Sequence, residues 1–303
     1  MTRVADIAQH TRVLGFISSA QNTVNELQTQ IGSGRKSQDY QGISRSAERL
    51  VSLEATHTRT NQYVENNQAI QRRLQTMESN VTQIFDVMSG YKTLLVDALN
   101  AQNSADLNMT VRAQEMLNQI SSLLNVEEDG RYLFAGSMTN AQPVDLTGLP
   151  ATYVVPTANG ASAGYYQGNS QVLSVRAGDN FDVSYGVTAD ALGFEQAVRA
   201  LDVIVKGVPT DPTTLNHALA VVTDALDNIA NSRTQIGAVA TTLSELNRKH
   251  DEFMLFTEQT IGEIENVDIA EAVSLMNVAT VSLEASFMTL SRLAQLTLMN
   301  FLR

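Results

Sequence analysis

Cysteine and tryptophan are both absent from the 303 residues, proline occurs five times, and aromatic residues make up only 6%. Without cysteine there is no disulfide framework, no thiolate nucleophile and no Cys-ligated zinc. With so few aromatics, a core has to be built from Leu, Ile, Val, Met and Ala, the residues of helix–helix seams. Positive charge is also scarce: 20 basic against 32 acidic residues leave a net charge of −12. A nucleic-acid-binding surface needs the opposite, a basic stripe or patch, so no nucleic-acid partner is expected. No G-x-G-x-x-G or Walker-type loop occurs, and Gly32-Ser33-Gly34 lacks the G-x-S-x-G spacing of a nucleophile elbow. His10, His57, His217 and His250 share no i,i+4 spacing that would suit a metal. The chain is therefore read as no enzyme, with no catalytic residues, no cofactor and no metal site.

Long hydrophobic runs are wanting as well. No stretch is expected to reach the roughly 20 apolar residues that cross a bilayer, so no membrane insertion is expected. The early run Val13–Ile17 is interrupted by Gly15 and falls short of the unbroken apolar region of a secretory leader. Hydrophobic residues nevertheless total 43%, enough for a real core and too many for a disordered chain.

What is present is helical periodicity. Val13, Ile17, Ala20, Val24, Leu27 and Ile31 repeat at intervals of three and four, up to the double-glycine stop at Gly32 and Gly34. A polar linker, Arg35 to Ser44, precedes the most regular pattern in the sequence: Ile70, Leu74, Met77, Val81, Ile84, Met88, Tyr91 and Leu95. After a break at Asn100–Ser104 a third helix carries Met109, Ala113, Met116, Ile120 and Leu123, and is expected to end at Glu127-Glu128-Asp129-Gly130. Between Arg131 and Gly193 the turn formers cluster, and β-type runs are predicted at Thr152–Val155, Gln171–Val175 and Phe181–Tyr185. Val172, Ser174 and Arg176 alternate there with Leu173, Val175 and Ala177, as in a half-buried strand. Helix returns through Phe194, Val198 and Leu201. After a turn at Pro209–Pro212 it returns again through Leu215, Leu219, Val222, Leu226, Ile229, Ile236, Ala240 and Leu243, with a terminal helix from about residue 260.

The fold class predicted is mainly α: an elongated antiparallel coiled-coil rod, its two terminal helices paired at the base and a small β-rich insert at the tip. Three parts are expected: a terminal helical domain (1–44 with 262–303), a helical rod (45–140 with 193–261) and a small β-rich domain (141–192). No charged side chain lies between Val273 and Leu283, nor between Leu293 and Leu302. A helix so poor in charge needs a partner to bury it. The candidate assembly residues are Val4, Ile7, Leu14, Ile17, Val24 and Leu27 near one end, and Ile269, Val273, Met276, Leu283, Phe287, Leu290 and Phe301 near the other.

Particular residues then carry a resemblance. Gly130-Arg131-Tyr132-Leu133-Phe134-Ala135-Gly136 resembles the G-x-Y-[LIV]-F-A-G segment of the bacterial flagellin family, including its hook-associated members. Gly130, Tyr132, Phe134 and Gly136 occupy the matching places. Val267-Asp268, followed by Ala285-Ser286-Phe287, resembles the same family's last helix, and Gln30 to Lys36 resembles its first turn. The three segments stand in the family's order along essentially the whole chain, although Ser37–Gly42 departs from the usual Asp-Asp-Pro or Asp-Asp-Ala helix start. The resemblance implies a structural subunit of the flagellum that joins hook to filament, with the filament flagellin itself as the alternative. It implies self-association, contact with neighbouring axial proteins, an export chaperone, and an extracellular location reached by type III export without a cleaved signal peptide. The periodicity alone is equally that of an intracellular coiled-coil adaptor.

Overall fold

The computed structural model describes residues 2–100, 108–151, 163–208 and 211–301; within these, side chains are described except at 2–8, 163 and 293–301. Among the described residues there are six α-helices: α1 (Thr2–Ser33), α2 (Ala47–Asn100), α3 (Met109–Leu124), α4 (Leu192–Lys206), α5 (Pro212–Glu265) and α6 (Ile269–Phe301). Two small antiparallel hairpins accompany them, β1 (Glu127–Glu128) with β2 (Arg131–Tyr132) and β3 (Leu173–Gly178) with β4 (Phe181–Tyr185). The chain divides into two compact units, Met1–Thr58 with Phe253–Arg303, and Arg59–Glu252.

In the larger unit the seven-residue repeat of α2 is its core face: Leu74, Val81, Met88 and Leu95 are buried, and so are Ile70, Met77, Ile84 and Tyr91. From α5 the matching series is Leu215, Val222, Ile229, Ile236 and Leu243, also buried. Between these long helices and α3 lies α4, whose residues from Gly193 to Ile204 are all buried. A helix enclosed on every side has no solvated face for its polar residues, so they pair along it. Glu195 meets Arg199 at 3.1 Å, and Asp202 meets Lys206 at 2.7 Å, both at i,i+4. Tyr91 donates its hydroxyl to the Ala200 carbonyl at 2.7 Å, and its burial pushes its pKa well above the ordinary phenol value.

The predicted strand at 181–185 is present as β4, and Leu173, Val175 and Ala177 of β3 are the inward residues of the alternation. The predicted run Thr152–Val155 lies outside the described residues. Two expectations are corrected. Helix α3 stops at Leu124, and Glu127–Glu128, read as its end, is the first strand of the β1–β2 hairpin. Asp129 and Gly130 both have positive φ, 53° and 70°, the left-handed pair that a two-residue hairpin turn requires. Second, the terminal helix does not begin near residue 260: α5 continues unbroken to Glu265, and a new helix starts at Ile269.

Candidate assembly interface

The smaller unit contains the pairing of α1 with α6. Helix α1 closes where Gly34 turns to a φ of 72° and its N–H reaches back to the Gln30 carbonyl at 2.8 Å. The exiting chain then pairs antiparallel with the α5–α6 connection. Lys36 N donates to Glu265 O at 2.7 Å, and Val267 N donates to Gly34 O at 3.0 Å. Arg35 reaches the Glu265 carboxylate at 3.7 Å, and Lys36 Nζ reaches the Glu263 carbonyl at 2.5 Å. In the departure from the family pattern, Asp39 Oδ1 takes the amides of Gln41 and Gly42, each at 3.1 Å, and so makes the turn that leads into α2. Asp268 caps α6, accepting from the amides of Ala270 at 2.9 Å and Glu271 at 3.1 Å.

Along α1, Val13, Ile17, Ala20, Val24, Leu27 and Ile31 are buried or half-buried, so the predicted stripe is its inner face. Along α6 the inner face is Ala272, Met276, Ala279, Leu283, Ser286 and Leu290, a strict alternation of four and three. The two stripes pack on each other within one chain. The candidate residues therefore divide into two sets. Ile17, Val24, Leu27, Met276, Leu283 and Leu290 belong to this intramolecular seam. Leu14, Ile269, Val273 and Phe287 are exposed on the same helices. Val4, Ile7 and Phe301 lie outside the residues whose side chains are described. Phe287 does not share the inner face with Leu283 and Leu290: those two are half-buried in the α1-facing stripe, and Phe287 is 46% exposed on the shoulder of the helix.

The sequence reading missed the rest of the open surface. Phe16 on α1 is 68% exposed, and Leu275, Val278, Val281 and Met288 on α6 are exposed too. Residues 269–292 carry only three charges, Glu271, Glu284 and Arg292. Four of their six hydroxyls are turned onto the backbone: Thr280, Ser282, Ser286 and Thr289 each donate to the carbonyl four residues earlier. With much of that polarity spent on its own backbone, α6 carries large apolar side chains both on the face that α1 covers and among the residues it leaves open. By length and composition, Ile269–Arg292 could cross a membrane, which corrects the expectation that no stretch qualifies. A helix hydrophobic all round is one that becomes enclosed, in a core, an assembly or a bilayer.

The family-like segment Gly130–Gly136 is a separate structural feature in the larger unit. Phe134 is fully buried edge-on to Phe194, with ring centroids 6.0 Å apart. Its carbonyl accepts from the Ala189 amide at 2.9 Å. Tyr132 N donates to Thr139 O at 2.8 Å, and a hydrogen bond from its hydroxyl to Glu127 raises the phenol's pKa. Gly136 has a φ of 67°, and a Cβ there would lie 2.0 Å from the Asn169 carbonyl oxygen. These residues knit the hairpin to the core. No ligand geometry is built from them.

Comparison with known proteins agrees with this arrangement. The bacterial flagellin N-terminal helical region matches residues 7–139, and the bacterial flagellin C-terminal helical region matches residues 219–302. Comparison with curated protein sequences gives no match. Among solved structures, a chain from Vibrio parahaemolyticus assigned to the flagellar hook-associated proteins is 18% identical, with a TM-score of 0.60 over 72% of this chain and 97% of that one. FlgL of Bacillus cereus, also 18% identical, gives 0.55 over 71% of this chain and 99% of that one. Flagellar hook associated protein-3 of Legionella pneumophila, 13% identical, gives 0.57 over 70% of this chain and 98% of that one. At such identities the likeness is one of fold.

Proposed function

This chain belongs to the bacterial flagellin family, and from that membership we propose that it is the junction subunit between flagellar hook and filament, built into the axial structure through α1 and α6. The observation that carries the assembly role is the open apolar surface of α6. One face is covered by α1, and Val278, Val281, Phe287 and Met288 are left to water in the single chain. On this reading the terminal segments 1–44 and 262–303 pack against copies of themselves and neighbouring axial subunits, the hook-side junction protein and flagellin. Residues 45–140 with 193–261 form the rod, and 141–192 form the outer domain. An export chaperone shields the apolar helix before the subunit is assembled outside the cell. The fold likeness to hook-associated proteins favours the junction over the filament.

Copy number tests the choice. Quantitative mass spectrometry of sheared, purified flagella should find this chain at about one helical turn of subunits per flagellum, and cells lacking it should carry hooks without filaments. Thousands of copies per flagellum would make it the filament subunit instead. Deletion mutants that swim normally on intact flagella would overturn the axial role.

A further inference from the structure

The buried series along α2 changes character at one end. Every seventh residue from Leu95 back through Met88, Val81 and Leu74 is apolar, but the next two are Asn67 and Thr60, equally buried. On α5 the series from Leu215 to Leu243 continues, seven residues on, at His250. The helices run antiparallel here, since Arg233 stacks over Phe85 while Asn247 meets Asn67. Asn67 Nδ2 donates to Asn247 Oδ1 at 2.9 Å, and Asn247 Nδ2 donates to Gln71 Oε1 at 3.4 Å.

The same Asn67 amide donates to the Ala177 carbonyl at 3.2 Å, and His250 Nε2 lies 2.8 Å from that oxygen. A carbonyl carries no proton, so the imidazole nitrogen is the donor. The oxygen is available because the β3–β4 ladder slips its register between Arg176 and Gly178 and releases Ala177 from strand pairing. Just beyond, Asp179 takes the Arg59 guanidinium at 2.9 Å and the Tyr63 hydroxyl at 3.2 Å, and the Tyr63 ring stacks on His250.

We propose that the Asn67–Asn247 pair, with His250, is a register pin: it fixes α2 against α5 and fastens the bulge of the β3–β4 hairpin to both helices. A seam that repeats Leu, Val, Met and Ile every seven residues packs nearly as well after sliding by one repeat, about 10 Å along the axis. A buried amide pair has one register in which both partners are bonded. The pin is a poor stabiliser, since Asn67 Oδ1 is itself buried with no hydrogen-bond partner. Polar groups that cost stability at a core position are retained for specificity in coiled-coil systems. The pin does not depend on the flagellar role.

The absence of cysteine makes the test clean. Spin labels at Gln83→Cys and Thr241→Cys, one on each helix and both exposed, report the α2–α5 distance in the full chain by pulsed electron resonance. The parent should give one narrow distance. Adding Asn67→Leu with Asn247→Leu should leave the melting temperature equal or higher. It should also broaden the distance or split it in two, and speed hydrogen exchange at 177–179. A distance as narrow as the parent's would overturn the pin. Should the leucine pair not fold, Asn67→Thr with Asn247→Thr, the residue that α2 already buries at Thr60, decides by the same measurement: a broadened distance supports the pin and an unchanged one overturns it.

Discussion

Gly136 is the residue whose identity is most tightly dictated. Its φ of 67° is a conformation that L side chains adopt at a cost, and the Asn169 carbonyl fills the space of a Cβ. Gly136→Ala should lower the stability of the larger unit by about 2–4 kcal/mol, read by urea unfolding. A cost below about 1 kcal/mol would mean that the Asn169 loop yields freely. The resemblance marks Gly136 as a matched position, but neither the turn nor Asn169 can be read from its neighbours in sequence. Glu195 and Arg199 are invisible there for a related reason: nothing in their spacing shows that α4 is enclosed. Arg199→Ala leaves the Glu195 carboxylate buried beside an alanine and should cost about 3–5 kcal/mol, whereas the pair Glu195→Leu with Arg199→Leu should come within about 1 kcal/mol of the parent. Equal losses for both variants would show that Arg199 matters for its packing and not for its charge.

Among the elements, legibility depends on contrast. The stripe of α1 is readable from Ile17 to Ile31 because polar residues separate its members there. The repeat of α2 is readable for the same reason, and β4 is bracketed by glycines. Helix α6 offers no contrast: apolar residues occur at every angle around it, so a spacing rule can collect Met276, Leu283 and Leu290 from one face and Ile269, Val273 and Phe287 from its shoulder without conflict. The two sets should separate in experiment. Leu283→Ala thins the α1–α6 seam, so both helices should be cleaved faster by protease in the isolated subunit. Phe287→Ala should leave unfolding and proteolysis of the isolated subunit within about 1 kcal/mol of the parent, yet remove about 3 kcal/mol per copy wherever that ring is enclosed by a neighbour. Flagella carrying Phe287→Ala should then be missing filaments. Normal flagella would place the assembly contact elsewhere, and a destabilised subunit would return Phe287 to the intramolecular seam.

For the whole molecule, three short segments in the right order are enough to point to the family, whose two helical regions match residues 7–139 and 219–302. The division into two compact units falls after Thr58 and before Phe253, and periodicity cannot place it because both positions lie within continuous helical stretches of the sequence. The inward-turned hydroxyls of α6 carry a thermal consequence. A surface on which four of six hydroxyls bond to their own helix and only three residues are charged offers a neighbour few directed bonds, so association through it draws chiefly on the release of water from apolar area. That driving force is entropic near room temperature, carries a large negative heat-capacity change, and fades on cooling. Purified subunits should therefore associate more weakly at about 4 °C than at about 37 °C, with calorimetry showing an association enthalpy that becomes more negative as temperature rises. Tighter association in the cold would mean that hydrogen bonds or ion pairs hold the subunits together, and that the quiet polar chemistry of this helix is not what its neighbours meet.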